Sequence, residues 1–416
     1  MGNTSSLLNV YSDFMNDLID HVESFDNFDH SNRSDMPSVL MEPLLLKEAF
    51  DVESFSEDII FSLLSTLKEK SYQDGSSKFR LYIEGKENQA EEKRFLASER
   101  KMPESIEQYF MRISEGKKFG IVINGAQQWS DDISRFAAKV FEPFVEKYGY
   151  SCASVEATLF VGNYGYTPFG IHIDDPYTHV VHFHLGPAPK SMTLFEPELF
   201  HQLNGPEKNC YQPENLIAFG DTYEISAGSV FLLPANYYHV GNTQSFSIGL
   251  ALSISKNPNS AVTQLLLHDA VNDNRFAGDV YDVIKRLEVS QITLAEWMSE
   301  RLEDHCLRNK SQKGLRYALI EREVPDFESD TVFVLDPDFA IEFADNGEKI
   351  RVFCRGNKVK ISSNVALMDF LQYLKSQKDT FTVRGLIQYF QDSLDTDTIT
   401  FLIALFYSFG VIHMYD

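Results

Sequence analysis

Tyr164 to Pro197 reads YGYTPFGIHIDDPYTHVVHFHLGPAPKSMTLFEP, and Ala227 to Asn242 answers it with AGSVFLLPANYYHVGN. His172 and Asp174 are two residues apart, so on an extended strand both side chains point to one face. His239 is placed to return from a later strand and complete the set. Two imidazoles and one carboxylate on a shared face are the ligand set of non-haem Fe(II) oxygenases, because open positions remain for a bidentate co-substrate and for O2. An HxD pair alone recurs by chance in many strands; the second segment gives the pattern its weight.

Between the two segments, Thr178 to Leu185 (THVVHFHL) alternates so that Thr178, His182 and His184 share one side while His179 faces the other. One side of the strand is therefore crowded with imidazole. His182 and His184 serve either as hydrogen-bonding groups around a co-substrate or substrate, or as extra metal ligands of a different dioxygenase chemistry. Tyr164, Tyr166, Thr167 and Phe169 gather at the mouth of the expected site, where aromatic side chains either cover a ligand or pack as a rim.

Gly228, five residues, Pro234 and then His239 reproduce the spacing of the second metal motif of cupin barrels, with Asn236 where Gly often stands. The whole arrangement resembles the JmjC-type 2-oxoglutarate oxygenases, and most of all their ribosomal-oxygenase branch. In that branch HxDD precedes an apolar strand, a Gly turn, a basic residue and a second strand. Here those parts are His172 to Asp175, Thr178 to Leu185, Gly186, and Lys190 opening SMTLFEP; GPAPK is two residues longer than the usual turn.

The resemblance implies an α+β fold built on a double-stranded β-helix (the cupin/JmjC jelly roll), with Fe(II) held by His172, Asp174 and His239 and 2-oxoglutarate as co-substrate. It implies that Lys190 pairs with the distal carboxylate of 2-oxoglutarate; the strand phasing makes Thr178, His182 and His184 candidates for hydrogen bonds to the co-substrate or substrate, with Tyr164 a candidate cover at the mouth. A lysine at the start of a barrel strand can point inward and pair with a buried dicarboxylate. The expected activity is hydroxylation of a residue in a protein or peptide, the class of this branch being His or Arg of a ribosomal protein. A small-molecule or tRNA-base hydroxylase of the same chemistry, or a metal-binding cupin scaffold without turnover, remain as alternatives.

The chain has 416 residues, 43% of them hydrophobic, enough for two to three domains with their own cores. Its formal charge of -24 argues against a nucleic-acid backbone as the main partner and favours a basic protein or peptide, although acidity also serves solubility. Cys152, Cys210, Cys306 and Cys354 form no short-spaced pair, so neither a zinc site nor a disulfide framework is expected, which fits a reducing compartment. With no basic-then-apolar leader and no long apolar run, a cytoplasmic protein without a membrane span is expected. MGNTSS matches a myristoylation pattern in form only.

In chain order, residues 1–114 are expected as a helical and acidic N-terminal region, with a weak helix over Tyr11 to Arg33, helical spacing from Pro43 to Lys70, and an exposed, charge-dense stretch from Glu84 to Lys101. Residues 115–256 form the catalytic domain: strand KFGIVING, a helix from Ser130 to Tyr148 with Gly149 as C-cap, SVEATLFVGN, the motif strands, an excursion from Phe200 to Ala218, and a closing strand SFSIGLALSISK. Residues 257–330 read as amphipathic helices burying Leu265, Leu266, Ile284, Leu287, Trp297 and Leu302; the resemblance implies a homodimer interface there. Residues 331–416 run strands, then helices opened by Thr380 or Thr382 and by Asp395 or Thr396, then a returning strand, an order that resembles a winged helix. The third helix, DTITFLIALFYSF, carries no Lys or Arg to meet phosphate, so an interaction module is expected there in place of a DNA reader.

Overall fold

Leu44, Leu45 and Leu46 pair with Leu232, Phe231 and Val230, so the start of PLLLKEAF is a strand where its spacing predicts helix. Three consecutive leucines suit an apolar sheet edge as well as a helix face, and tertiary pairing decides between them. These features come from a computed structural model, which describes residues 42–74, 79–148, 153–174, 178–256, 285 and 294–415. The expected helices over 11–33, 260–271 and 279–290, the Gly149 cap, and Leu265, Leu266, Ile284 and Leu287 lie outside the described residues. The chain divides into two units, Met1–Phe144 with Val155–Lys256, and Val145–Ser154 with Asn257–Asp416.

The first unit runs β1 (Leu44–Leu46), α1 (Glu57–Asp74), β2 (Arg80–Ile83), β3 (Lys86–Glu87), α2 (Gln89–Leu96), α3 (Ile106–Ile113), β4 (Phe119–Asn124) and α4 (Asp131–Tyr148). It continues with β5 (Ala153–Gly162), β6 (Gly165–Tyr166), β7 (Thr178–Pro187), β8 (Lys190–Phe195), α5 (Pro197–Asn204), β9 (Asp221–Ile225), β10 (Val230–Leu233), β11 (Tyr238–Thr243) and β12 (Ser247–Lys256). The architecture is α+β with antiparallel sheets. The large sheet has the order β1-β10-β7-β12-β5-β4-β2-β3 and the small one β6-β11-β8-β9. Strands thus arise within the stretch expected as helical, and Phe95 of the charge-dense segment is fully buried. Asn88 caps α2 by accepting from Glu91 N–H, and Ser105 caps α3 reciprocally with Gln108.

Met192 and Leu194 of the small sheet meet Phe231 and Leu233 of the large one, with Ile225, in one apolar cluster, so the two sheets face each other. On the opposite side of β7, Phe183 packs edge-on against Phe50 at 5.8 Å and Phe136 of α4 at 5.0 Å. Both faces of β7 are therefore covered, which is why its sequence is apolar apart from His179 on one side and carries His182 and His184, both buried, on the other.

The second unit holds α6 (Leu294–Ser311), β13 (Val332–Leu335), β14 (Glu342–Asp345), β15 (Lys349–Cys354), β16 (Asn357–Ser362), α7 (Val365–Ser376), β17 (Phe381–Thr382), α8 (Val383–Phe390), α9 (Thr396–Ser408) and β18 (Ile412–Met414). Its strands form two three-stranded sheets, β17-β13-β18 and β14-β15-β16. Of the alternative caps, Thr382 accepts from Gly385 N–H and Asp395 from Thr398 N–H. Trp297 is buried as expected, whereas Leu302 is 40% exposed: the buried face of α6 carries Arg301 and Asp304 and packs on β15 through charge. Among the described residues no helix is long and apolar enough to cross a membrane.

Candidate metal centre

His172 and His239 exchange both main-chain hydrogen bonds, 3.1 and 2.8 Å, across an antiparallel bridge. Their rings lie 4.4 Å apart between centroids. His172 Nδ1 donates to Gly170 O at 3.0 Å and His239 Nδ1 to Tyr237 O at 3.3 Å. A carbonyl only accepts, so each Nδ1 carries the proton and each Nε2 presents a lone pair. Those two nitrogens lie 3.9 Å from Asp174 Oδ1 and 4.0 Å from Oδ2, and the three ligand atoms all fall within 4.8 Å of one another.

Bonds of about 2.1 Å would place three such donors about 3 to 3.5 Å apart, so closing on an ion takes less than about 1 Å of movement. Burial, with His172 beside it, pushes His239 down and keeps its ring in the neutral form that binds metal. The side chain of His239 is 10% exposed and that of Asp174 32%, so the open side of the set is the carboxylate side. Phe169 stands edge-on to the His172 ring at 5.5 Å. The stack continues outward through Tyr82 at 6.2 Å and the Arg80 guanidinium at 4.5 Å from the Phe169 ring.

Lys190, first residue of β8, is 3% exposed, and its Nζ lies 5.0 Å from the centre of the Phe160 ring. Burial pushes its amine down to about 8, and among the described residues no carboxylate lies within salt-bridge distance of it. His182 and His184 share a strand face, with rings stacked at 6.0 Å, and the charge of Lys190 acts on both. His184 Nε2 donates to Ala188 O at 2.7 Å, which leaves its Nδ1 as a buried acceptor, and His182 Nε2 is buried without a partner. Burial pushes His184 down to about 4 and His182 well below its usual range. Neither joins the three-residue cluster of His172, Asp174 and His239.

Thr178 is half-buried at the start of β7, opposite Ser255. Tyr164 is buried; β-carbons added at Gly120 and Gly162 would come within 2.8 and 3.0 Å of its ring. Its hydroxyl meets Thr243, and burial raises the phenol to about 12. Tyr164 is thus a wedge over two glycines. His179 points away from its neighbours on β7, as its parity requires, and burial pushes it down to about 4.

Two functional positions escaped the sequence reading. A β-carbon at Gly241 would come within 2.7 Å of Lys190 Cε, and one at Gly249 within 2.4 Å of His182 Cε1. Gly249 and Ala251 lie opposite His184 and His182 across the β12–β7 ladder. The alternation of small residues in SIGLALSIS was the available signal, since a crowded face needs an empty one opposite.

No protein-family model matches the chain, and no curated protein matches it by sequence. Among solved structures the chain is similar to the ribosomal oxygenase YcfD of Escherichia coli, at 14% identity over 91% of this chain and 98% of that one, with a TM-score of 0.45. It is also similar to YcfD in complex with cobalt and succinic acid (13% identity, 91% and 98%, TM-score 0.44) and in complex with cobalt and 2-oxoglutarate (14%, 90% and 95%, TM-score 0.43).

Proposed function

We propose that the chain is an Fe(II)- and 2-oxoglutarate-dependent oxygenase that hydroxylates a residue of a protein or peptide. One observation carries this: two imidazole lone pairs, each fixed by a carbonyl on the far ring nitrogen, converge on the two oxygens of one carboxylate with no hydrogen placed between them. Electron pairs brought together in that way call for a cation. When bound, iron supplies oxidation by O2 coupled to decarboxylation of 2-oxoglutarate.

The chain's own residues hold and orient. His172 and His239 would hold the ion through Nε2 and Asp174 through a carboxylate oxygen. Lys190, buried without an acid of its own, would take the distal carboxylate of the co-substrate, because an ammonium desolvated to this degree gains most from an anion brought into the same interior. His182 Nε2 is the next polar atom open to that ligand; His184 Nδ1, an acceptor, would receive a hydrogen bond from the ammonium or from a water. Thr178 and Tyr164 would bound the pocket, Tyr164 by filling space over Gly120 and Gly162. The apolar cluster around Phe231 and Leu233 keeps water from the inner end.

Two facing antiparallel sheets with the ligands on the small-sheet side support a double-stranded β-helix of the cupin/JmjC kind, with residues 115–256 as its catalytic part. The net charge of -24 supports a basic partner. The order of strands and helices supports a winged-helix-like module over 331–416, and a homodimer interface over 257–330 rests on the family resemblance alone. Succinate formation on adding Fe(II), ascorbate and 2-oxoglutarate tests the activity. Comparing its stimulation by peptide, RNA and metabolite extracts tests the substrate class, and a chain that neither turns over nor binds 2-oxoglutarate would overturn the proposal.

A further inference from the structure

A second lysine, half-buried, stands apart from the metal centre. Lys68 of α1 donates to Ser98 O at 2.5 Å and to the Tyr109 hydroxyl, with its Nζ 4.5 Å from the centre of the Phe95 ring and 4.7 Å from that of Tyr109. An ammonium has three donors, so one remains. Among the described residues no carboxylate reaches salt-bridge distance of it, although the chain carries 61 Asp and Glu. Its cationic neighbours are committed elsewhere. Arg112 is bound to both oxygens of Glu104, at 2.6 and 2.9 Å, and Arg100 packs 3.7 Å from the centre of the Phe61 ring while donating to Glu104 O and Asp58.

Lys68 faces a cavity of about 690 Å³ between α1 and the α2–α3 connection. Phe61, Leu64, Leu96 and Tyr109 give it an apolar lining, and Ser65 stands at an exposed position. Glu69 and Glu99 line it as exposed residues; Glu69 meets Lys70 at 3.7 Å, and Glu99 acts on Lys68 only at a distance. The volume lies in the range of small-molecule sites, which are apolar with one or a few placed polar groups.

We propose that this cavity binds a small organic carboxylate with an apolar body, for which Lys68 is the counterion. A carboxylate there takes up the remaining donor and completes an ion pair in a partly desolvated place, while its apolar body covers Phe61, Leu64 and Leu96. Burial, reinforced by Arg112, pushes the Lys68 amine down to about 8, as expected for a cation that the protein leaves without its own anion. A neutral ligand of the same shape gains the apolar contact alone.

Calorimetric titration of the full chain with 4-phenylbutyrate and its uncharged amide 4-phenylbutyramide tests this. The acid is expected to bind about tenfold tighter than the amide, the order of one charge-assisted hydrogen bond. Lys68→Met should erase that preference. Ser65→Trp, which fills the entrance from an exposed position and leaves the core intact, should abolish binding of both while the circular dichroism stays unchanged. Lys190→Met should keep the preference, which separates this cavity from the barrel interior and makes the outcome independent of the proposed oxygenase activity. Equal affinity for acid and amide, no binding of either, or a preference that survives Lys68→Met or disappears with Lys190→Met would each overturn the proposal.

Discussion

Gly241 lies directly against Lys190: a β-carbon at 241 would stand 2.7 Å from the lysine Cε and 3.2 Å from its Nζ. The lysine is the flexible partner, so Gly241→Ala displaces the ammonium and leaves the β8–β11 ladder in place. The 2-oxoglutarate requirement should rise about tenfold, with a stability change of about 1 kcal/mol or less. Anaerobic titration of the Fe(II)-loaded protein by visible absorbance, together with a thermal melt, checks both.

Replacing the lysine itself tests its charge. Losing the partner of a desolvated carboxylate costs about 3 kcal/mol or more, on the order of a hundredfold in affinity, so Lys190→Met should weaken 2-oxoglutarate binding by that factor while Fe(II) affinity stays near normal.

The same lysine sets a pH dependence. Its ordinary value of 10.5 holds in the unfolded chain and about 8 in the folded one, so between those values the unfolded chain binds the extra proton. Stability of the co-substrate-free protein should therefore rise with pH over that window, by on the order of 3 kcal/mol from this group. Melting wild type and Lys190→Met in parallel from pH 7.5 to 10 should show the variant's advantage shrinking as pH increases. A constant gap would exclude an ionised, unpartnered Lys190.

Asp174→Ala removes the anionic ligand from a side chain that is 32% exposed. Metal-dependent turnover should vanish and Co(II) affinity should fall by at least about a hundredfold, while the melting temperature of the metal-free protein stays within about 3 °C of wild type. Metal titration and calorimetry on the two proteins report this.

The ligand triad was legible because its signal is local: a two-residue spacing on one strand and a Gly-Pro-His segment that ends at a turn. The inward Lys190 was legible from its place at the start of a strand. What the sequence concealed depends on partners distant in the chain. Leu44–Leu46 became a strand because β10 had an apolar edge to offer. Leu302 stayed exposed because α6 meets β15 through Asp304 and Arg351, so the hydrophobic spacing found Trp297 and misplaced Leu302. Gly241 and Gly249 are ordinary strand glycines until the side chains opposite them are known.

That α6–β15 contact gives a prediction for the second unit. Asp304 accepts from Arg351 at 2.6 Å and from Lys358, and Arg351 is 3% exposed. Asp304→Ala leaves two cations short of an acid in a nearly buried place, with Glu303 still holding Arg351. The loss should be about 3 kcal/mol, read by chemical denaturation, with Asp304→Asn milder because it keeps a hydrogen-bond acceptor.

The main-chain bridge between His172 and His239 has a bearing on how the centre can be lost and regained. Because amides and carbonyls make it, a replacement at either position other than proline leaves both of its hydrogen bonds available. An ion bound there would be a guest on a frame that is complete beforehand, and a chelator should empty the centre without loosening the two facing sheets. Reloading should then proceed at the pace of ion encounter and not at that of folding. A lineage carrying this backbone can shed its ligands by single substitutions and remain a well-formed protein, and single reversions can restore them.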